Sequence, residues 1–267
     1  RNDQLVPRQS KANINTWIKF TSMSLLNLVT IDNGNTNPHV GIFNEEEFEK
    51  VVKLNDFLID QDNYLHFKSI KSSVGKTVSG LQLEEIDISK YKEENLFFDM
   101  KVNYAKTLGE DRLVQAYFAY HSFVLNKVEK VLLIDAGTFT TADIVTKNGF
   151  EGGFIFPGNQ TYLNSYSKGE QLPTFKSEEC KLDKSSLKLP TDTKQAILEA
   201  YKLSTKATLS KLILDHTPDL ILLTGGQSEL LKEFLEKENE VSVIHDPNLI
   251  HYSLFFIAKK SLTPKAL

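Results

Sequence analysis

The sequence predicts two α/β domains with mixed sheets and a ligand cleft between them. Each half of the chain begins with a hairpin pattern, after which strand-like and helix-like segments alternate. In addition, an apolar run that ends in an aspartate, a glycine and a threonine occurs twice, about a hundred residues apart. This repetition indicates two similar halves that face one ligand.

The second copy, residues 131–141, has the stronger pattern. Four apolar residues run into Asp135, and Gly137 and three threonines follow within six positions, which is typical of a buried strand that ends in a tight turn. Glycine lets the backbone approach a ligand, turn amides can converge on an anion, and threonine hydroxyls add donors. The turn is therefore predicted to hold phosphate. Asp135 would repel phosphate directly, so its expected role is to hold a cation.

The first copy, residues 26–36, repeats the order of apolar run, Asp32, Gly34 and Thr36, and another strand pattern follows it. It predicts a hairpin with Asp32 and Thr36 at its tip. A single Asp-x-Gly turn usually marks only a hairpin. Two copies behind buried-strand patterns favour a binding site.

The composition is that of an ordinary globular protein with a full core. The 267 residues are 40% hydrophobic and 25% charged, with a formal net charge of −4, so the electrostatic footprint of a nucleic-acid-binding protein is absent. Cys180 is the single cysteine, which excludes an internal disulfide and fits a reducing compartment. The sequence has no run of 18 or more apolar residues to span a membrane. We therefore expect a cytoplasmic protein with neither nucleic acid nor membrane as its partner.

The first 22 residues differ from the rest of the chain. They include Leu5-Val-Pro-Arg8, which resembles an engineered protease cleavage site, and they lack the order of a signal peptide. We expect an appended or disordered arm, with Met23 as the native start. The alternative is an N-terminal arm packed through Trp17 and Ile18.

The rest of the first domain, predicted over 23–128, contains one long helix. Residues 44–54 fit either a helix or an edge strand, residues 64–70 alternate as a strand, and residues 81–99 are irregular. Gly109 then supplies a bend before a helical pattern over 112–127. Asp111 lies at the start of that helix, where an acid can be a simple cap or can present a base to a ligand.

The second domain, predicted over 129–267, follows its phosphate turn with a hairpin and a glycine-rich segment, 150–158, that reads as a loop passing close to another group. Helices are predicted over 159–169, 193–215, 228–237 and 247–260, and strands over 219–224 and 241–245. Thr191 or Asp192 is the expected cap of the second of these helices, and Gly225 and Gly226 follow the first of these strands.

Several other functional classes lack their motifs. The six histidines are scattered without the spacing of a zinc site. The serine hydrolase elbow and the Walker phosphate loop are also absent from the sequence.

With these motifs in this order, the chain resembles the type III pantothenate kinases, within the acetate kinase, sugar kinase, Hsp70 and actin superfamily. The resemblance covers roughly residues 26 to 260. Asp32-x-Gly-Asn-Thr36 is similar to the first phosphate loop, Gly109-x-Asp-Arg112 to the substrate loop, and Asp135-Ala-Gly-Thr138 to the second phosphate loop. The segments that also match are Gly152-Gly-x-Ile-x-Pro-Gly158, Leu172-Pro173, Thr193 and Leu223-Thr-Gly-Gly226. The chain departs from the family pattern at Pro38 and His39, at 190–193 and at Ser253.

The resemblance implies two ribonuclease H-like (actin-like ATPase) domains and ATP-dependent phosphorylation of the primary hydroxyl of pantothenate, the first step towards coenzyme A. It makes Asp111 the general base, has Asp32 act on the phosphates through Mg²⁺, and has Asp135 bind a monovalent cation, K⁺ or NH₄⁺. The implied substrate contacts are Tyr104, Gly109, Glu110, Arg112 and Thr193. The implied ATP contacts are Asp32, Asn33, Gly34, Asn35, Thr36, Asn37, Gly137, Thr138, Thr224, Gly225 and Gly226.

The resemblance also implies a homodimer. Two alternatives stay open at the level of sequence. One is a non-catalytic accessory or regulatory relative with the same fold, and the other is a kinase that acts on another small hydroxy acid or sugar. Retention of Asp32, Asp111 and Asp135 favours the pantothenate kinase.

Overall fold

The computed structural model describes residues 26–34, 36–73, 78–175, 179, 182, 189–237 and 239–262. They form two compact units. Within these ranges, the first unit comprises residues 26–126, 145–152 and 248–262, and the second unit comprises residues 127–144 and 153–247. The arm predicted at 1–22, the phosphate-loop residue Asn35 and Cys180 lie outside the described residues.

The sheet of the first unit has five strands in the order β3-β2-β1-β4-β5. These strands are β1 (Leu28–Asn33), β2 (His39–Asn44), β3 (Glu47–Lys53), β4 (Lys68–Ser73) and β5 (Glu84–Ile86). The sheet is mixed, because the central strand β1 is antiparallel to β2 and parallel to β4. Strand β1 is buried on both faces, which explains its nearly continuous run of apolar and β-branched residues.

Helices cover both faces of this sheet. The helices are α1 (Leu54–Asp60), α2 (Glu110–Ala119) and, at the end of the chain, α6 (Leu249–Leu262), and a small hairpin is formed by β6 (Leu96–Phe97) and β7 (Met100–Lys101). Val29 and Ile31 pack with Leu54 and Phe57 of α1. Since strand side chains alternate, Asp32 is on the opposite face, which α2 and α6 cover.

The second unit repeats this topology. Its sheet has the order β10-β9-β8-β11-β12, so that β8 takes the central place that β1 has in the first sheet. These strands are β8 (Lys130–Ala136), β9 (Phe139–Thr146), β10 (Gly149–Pro157), β11 (Leu220–Thr224) and β12 (Ser242–His245). The two similar halves that the repeated motif predicted are therefore confirmed at the level of strand order.

The α-helices among the described residues of the second unit are α3 (Asn159–Asn164), α4 (Thr193–His216) and α5 (Ser228–Lys237). Helix α4 begins where predicted, because the Asp192 side chain accepts the amide of Gln195 at 2.8 Å. It ends at Thr217, which is left-handed with φ 41°. Leu209 and Leu212 of α4 pack in one core with Leu132 and Ile134 of β8.

The predicted fold class, α/β with mixed sheets flanked by helices, is confirmed. Of the two alternatives for residues 44–54, the structure has the edge strand, which is β3. The glycine-rich segment predicted as a loop is strand β10, yet its glycines do allow close approach. An added Cβ on Gly153 would lie 2.1 Å from Asp143 Oδ1, and one on Gly158 would lie 2.1 Å from the Gly137 carbonyl oxygen. Among the described residues, helices of the length and apolar character needed to cross a bilayer are absent.

Candidate active site

Asp111 lies in the first turn of α2, directly after a backbone bend. Gly109 is the N-cap residue of this helix and makes no side-chain cap, so Asp111 is inside the helix rather than at its cap. Its Oδ1 accepts the amide of Arg112 at 2.8 Å. Burial raises the pKa of the Asp111 carboxyl, although the amide bond and the charge of Arg112 act to lower it. A partly buried carboxylate with a raised pKa is a better proton acceptor than a solvated one.

Arg112 is held by two aromatic rings. Its guanidinium carbon lies 5.1 Å from the ring centre of Tyr104 and 5.7 Å from that of Phe150, within the range of cation–π attraction. Its side chain also donates to the Tyr104 hydroxyl at 3.4 Å. Only 5% of Arg112 is exposed. The structure thus places a buried, orientated cation next to Asp111, and it brings together Tyr104, Gly109, Asp111 and Arg112 as the sequence predicted.

The start of strand β10 fixes the loop that carries Tyr104. The Asn103 amide donates to the Phe150 carbonyl at 2.9 Å, and Phe150 is fully buried. Gly149 allows this contact, because it has φ 108° and an added Cβ would lie 2.1 Å from the Lys101 carbonyl oxygen. Phe150 is a residue that sequence reasoning missed, although the glycines around it signalled a close approach.

A cavity of about 310 Å³ adjoins the same loop. Its wall includes Tyr104, Leu108 and Leu113, with Lys106 and Glu94 among its charged residues. Asp111 and Arg112 are not part of its lining. The cavity therefore lies beside the Asp111–Arg112 pair rather than around it.

Glu110 connects helix α2 to the carboxyl end of β4. Its Oε2 accepts the Ser73 amide at 2.9 Å, and the Ser73 hydroxyl accepts from the Asn33 side chain at 3.1 Å. Ser72, directly in register with Asp32, is 1% exposed. Its hydroxyl has no hydrogen-bond partner among the described residues. Ser72 was not predicted from the sequence, because its pairing with Asp32 exists only in the sheet.

Asp32 lies near the end of β1, directly opposite His39 of β2. The His39 Nε2 atom is 3.5 Å from Asp32 Oδ2. Gly34, Thr36 and Asn37 follow in the connection between the two strands, and Thr36 and Asn37 are exposed. The structure therefore places Asp32, Gly34, Thr36 and Asn37 in one hairpin, as predicted.

Asp135 lies near the end of β8, and its carboxylate is close to Gly225. An added Cβ on Gly225 would lie 2.4 Å from Asp135 Oδ1 and 2.6 Å from the Ala136 carbonyl oxygen. Gly225 also has φ 93°, a conformation that residues with a Cβ rarely adopt. Thr224 is in register with Asp135 and is 1% exposed. The structure therefore places Asp135, the predicted cation ligand, next to Thr224 and Gly225, two of the predicted adenosine contacts.

The turn at Gly137 and Thr138 is attached to the start of helix α3. The Thr138 carbonyl accepts from the Gly158 amide at 3.1 Å and from the Thr161 hydroxyl at 2.6 Å. Gly137 has its amide bonded to the Phe139 carbonyl at 3.2 Å. These bonds give the predicted phosphate turn one defined shape.

Gln227 and Ser228 join this turn to the segment after β11, and neither was predicted. The Gln227 amide donates to the Ala136 carbonyl at 2.8 Å, and its side-chain oxygen accepts the Asn159 amide at 3.0 Å. The Ser228 hydroxyl donates to the Gly225 carbonyl at 2.6 Å and lies 2.8 Å from His245 Nε2. Such contacts are formed by residues far apart in the chain, so a linear motif does not reveal them.

Thr193, the remaining predicted substrate contact, is exposed at the first residue of α4 in the second unit. Gly226 is exposed as well, next to Gly225. Their roles stay predictions. Clusters of three or more His, Cys, Asp or Glu side chains that could hold a metal ion are absent from the described residues, so water or a bound nucleotide would supply the other ligands of a divalent cation at Asp32. Carboxylate oxygens such as those of Asp32 fit Mg²⁺, and Asp135 fits a monovalent cation by charge.

Comparisons with known proteins find similarity to one family. The model of the type III pantothenate kinase family matches residues 68–213. The type III pantothenate kinase of Aquifex aeolicus is 28% identical over 235 residues, which cover 85% of this chain and 94% of that protein. The enzyme of the same name from Campylobacter hominis is 24% identical over 234 residues, covering 87% and 98%.

A similar solved structure is that of a Campylobacter jejuni protein described as a conserved Baf family transcriptional activator. It is 21% identical, has a TM-score of 0.56, and covers 87% of this chain and 98% of its own. At that identity the likeness shows a shared fold.

Proposed function

Because the chain belongs to the type III pantothenate kinase family, we propose that it transfers the γ-phosphoryl group of ATP to the primary hydroxyl of pantothenate, the first step of coenzyme A synthesis. The family match includes Asp111, Arg112 and Asp135. The curated relatives are covered over 94% and 98% of their own length, so the proposal draws on whole proteins rather than on one shared segment.

Asp111 is the proposed general base. As the hydroxyl oxygen bonds to the γ-phosphorus and the bond to ADP breaks, the Asp111 carboxylate takes the hydroxyl proton. Its partial burial and raised pKa support this role. The observation that carries the proposal is the position of this half-buried carboxylate directly beside the buried guanidinium-bearing residue Arg112.

Arg112 is proposed to bind the acceptor. Pantothenate has one carboxylate, and a guanidinium is the side chain best suited to such an anion. The rings of Tyr104 and Phe150 hold Arg112 in one orientation, which lowers the cost of ordering it on binding. Glu110 fixes α2 to β4 through Ser73, and Thr193 is proposed as a further acceptor contact.

The hairpin after β1 and the turn after β8 are proposed to bind the nucleotide. Asp32 would hold Mg²⁺, which neutralises charge on the phosphate oxygens. Asn33, Gly34, Asn35, Thr36 and Asn37 complete the first loop. Gly137 and Thr138 would contact phosphate, Asp135 would hold K⁺ or NH₄⁺, and Thr224, Gly225 and Gly226 would adjoin the adenosine.

The assay is ADP release from Mg·ATP in potassium buffer, with and without pantothenate. The wild type should release ADP only with pantothenate, and Asp111→Asn should lower turnover at least about a hundredfold, the usual scale of general base catalysis, while nucleotide binding persists. Asp62→Asn, at an exposed carboxylate in the same unit, is the matched control.

Each other outcome has a definite meaning. Near-normal turnover of Asp111→Asn would remove Asp111 from its role. If ADP release depends on another hydroxy acid or sugar instead of pantothenate, that compound would replace pantothenate as the proposed substrate. Binding of ATP or pantothenate without turnover would favour a regulatory relative. The homodimer and the cytoplasmic location belong to the same proposal, and light scattering of the purified protein tests the dimer.

A further inference from the structure

Asp32 and His39 form a pair of possible metal ligands at the first hairpin. They are directly opposed in the antiparallel pair of β1 and β2. Their side chains are 21% and 28% exposed, so an ion can reach both from solvent. Carboxylate oxygen and imidazole nitrogen are common metal ligands.

The distance between the two side chains suits a shared cation better than a direct hydrogen bond. Asp32 Oδ2 and His39 Nε2 are 3.5 Å apart, whereas N–H···O bonds are normally about 2.7–3.2 Å long. Two ligand atoms that each lie about 2.1 Å from one cation are separated by about 3.0–3.5 Å. The pair therefore has the separation of two ligands around one ion.

The other nitrogen of His39 is fixed by a chain of buried groups. His39 Nδ1 is 2.9 Å from His251 Nε2, and His251 Nδ1 is 2.8 Å from the Thr30 hydroxyl. Thr30 donates to the Gly41 carbonyl at 3.1 Å. Metal-binding histidines usually donate their second N–H to a fixed acceptor, which sets the ring orientation and the tautomer, and the ring nitrogen of His251 can act as this acceptor for His39.

The direction of these hydrogen bonds decides which nitrogen of His39 can bind a metal. When Thr30 donates to Gly41, His251 donates from Nδ1 to Thr30 and His39 donates from Nδ1 to His251. The Nε2 lone pair of His39 then points towards Asp32. In the reverse order Thr30 donates to His251 Nδ1, and His251 donates from Nε2 to His39 Nδ1. The Nε2 atom of His39 then carries the hydrogen and cannot bind a metal. A bound cation would favour the first order, because only that order leaves a lone pair on His39 Nε2. In this order the Thr30 hydroxyl donates its hydrogen to the Gly41 carbonyl.

The His251 ring that contacts His39 is itself fully buried. Gly41 makes room for the His251 ring, because an added Cβ there would lie 2.7 Å from the ring. Residues from β1, β2 and α6 thus combine to orientate His39.

We propose that Asp32 and His39 together bind a divalent cation, and that the imidazole ligand makes this site favour Mn²⁺ over Mg²⁺. Nitrogen ligands suit transition metals, whereas Mg²⁺ prefers oxygen alone. Two protein ligands leave coordination positions of the cation open. The proposal rests on the proposed function, because the phosphates of ATP would fill some of these positions.

The test uses Mn²⁺ itself and needs no turnover. Electron spin-echo envelope modulation of bound Mn²⁺ should show a coordinated nitrogen in the wild type, with and without a non-hydrolysable ATP analogue. His39→Gln, which keeps a polar partner for His251, should lose the nitrogen signal. It should weaken Mn²⁺ binding at least about tenfold and Mg²⁺ binding by less than about threefold. His66→Gln, at an exposed histidine of the same unit, should behave as the wild type.

The absence of a nitrogen signal in the wild type, or equal losses for both metals in His39→Gln, would overturn the proposal. Failure of the proposed function is a separate result, because it would appear as missing pantothenate-dependent ADP release in Mg²⁺ whatever the Mn²⁺ spectrum shows.

Discussion

The two units share a strand order but surround their aspartates differently. Asp32 on β1 has Ser72 in register on the neighbouring strand, and Asp135 on β8 has Thr224 there. In both sheets the hydroxyl residue is buried. Beside Asp32, however, lies the His39 side chain, whereas beside Asp135 lies the main chain of Gly225.

From this difference we expect the two units to suit different kinds of ion. Imidazole nitrogen suits a divalent transition metal, while main-chain carbonyl oxygens can replace the hydration shell of a monovalent cation. In the site proposed for the first unit, side chains from β1, β2 and α6 orientate His39. In the second unit the neighbour of Asp135 is the backbone of Gly225, a glycine with positive φ.

The largest effect is expected when the backbone wall beside Asp135 is altered. Gly225→Ala would force a Cβ to within 2.4 Å of Asp135 Oδ1 at φ 93°, so turnover should fall at least about a hundredfold, which corresponds to about 2.7 kcal/mol. The Gly225→Ala variant should also lose any preference for potassium over sodium in the turnover assay. Gly80→Ala is the matched control, because Gly80 has a similar φ of 83° and a Cβ there has nothing within 4 Å. If both variants kept the potassium preference, Asp135 would lose its proposed role.

A smaller effect, on stability, is expected in the first unit. Gly41→Ala would place a Cβ 2.7 Å from the His251 ring and from the Thr30 hydroxyl. Overpacking of this kind usually lowers the free energy of unfolding by about 1–3 kcal/mol. Urea unfolding measures the change, with Gly80→Asn at an open site of φ 83° as the comparison. A Gly41→Ala protein as stable as the wild type would mean that the buried histidine chain can rearrange freely.

The smallest effect is a dependence of stability on pH that belongs to the first unit. His251 has a folded pKa of about 3 against 6.5 for the free side chain, so the unfolded chain binds more protons between these values. Its contribution to stability is complete above pH 6.5 and is lost as the pH falls, by about 2 kcal/mol at pH 5. Urea unfolding of His251→Asn at pH 7.5 and 5.0 should show a smaller loss than the wild type. An unchanged loss would assign the acid sensitivity to other groups.

Much of the fold could be predicted from the sequence because the signals are local. Asp192 caps α4, and β-branched runs form the two central strands, since both patterns depend on neighbouring residues. The segment 150–158 was harder. Its glycines signalled close approach but not the strand, because the partner atoms at Asp143 and Gly137 belong to other elements.

The sequence by itself determined the duplication, the order of the elements and the positions of Asp32, Asp111 and Asp135 at strand or helix ends. Only the tertiary structure decided what surrounds those carboxylates. His251 meets His39 across 212 residues of chain and Thr30 across 221, and Gln227 reaches Asn159 across 68. The physical reason is that strand pairing and helix packing bring such residues together, and neither their spacing nor their type carries a local signal of the contact.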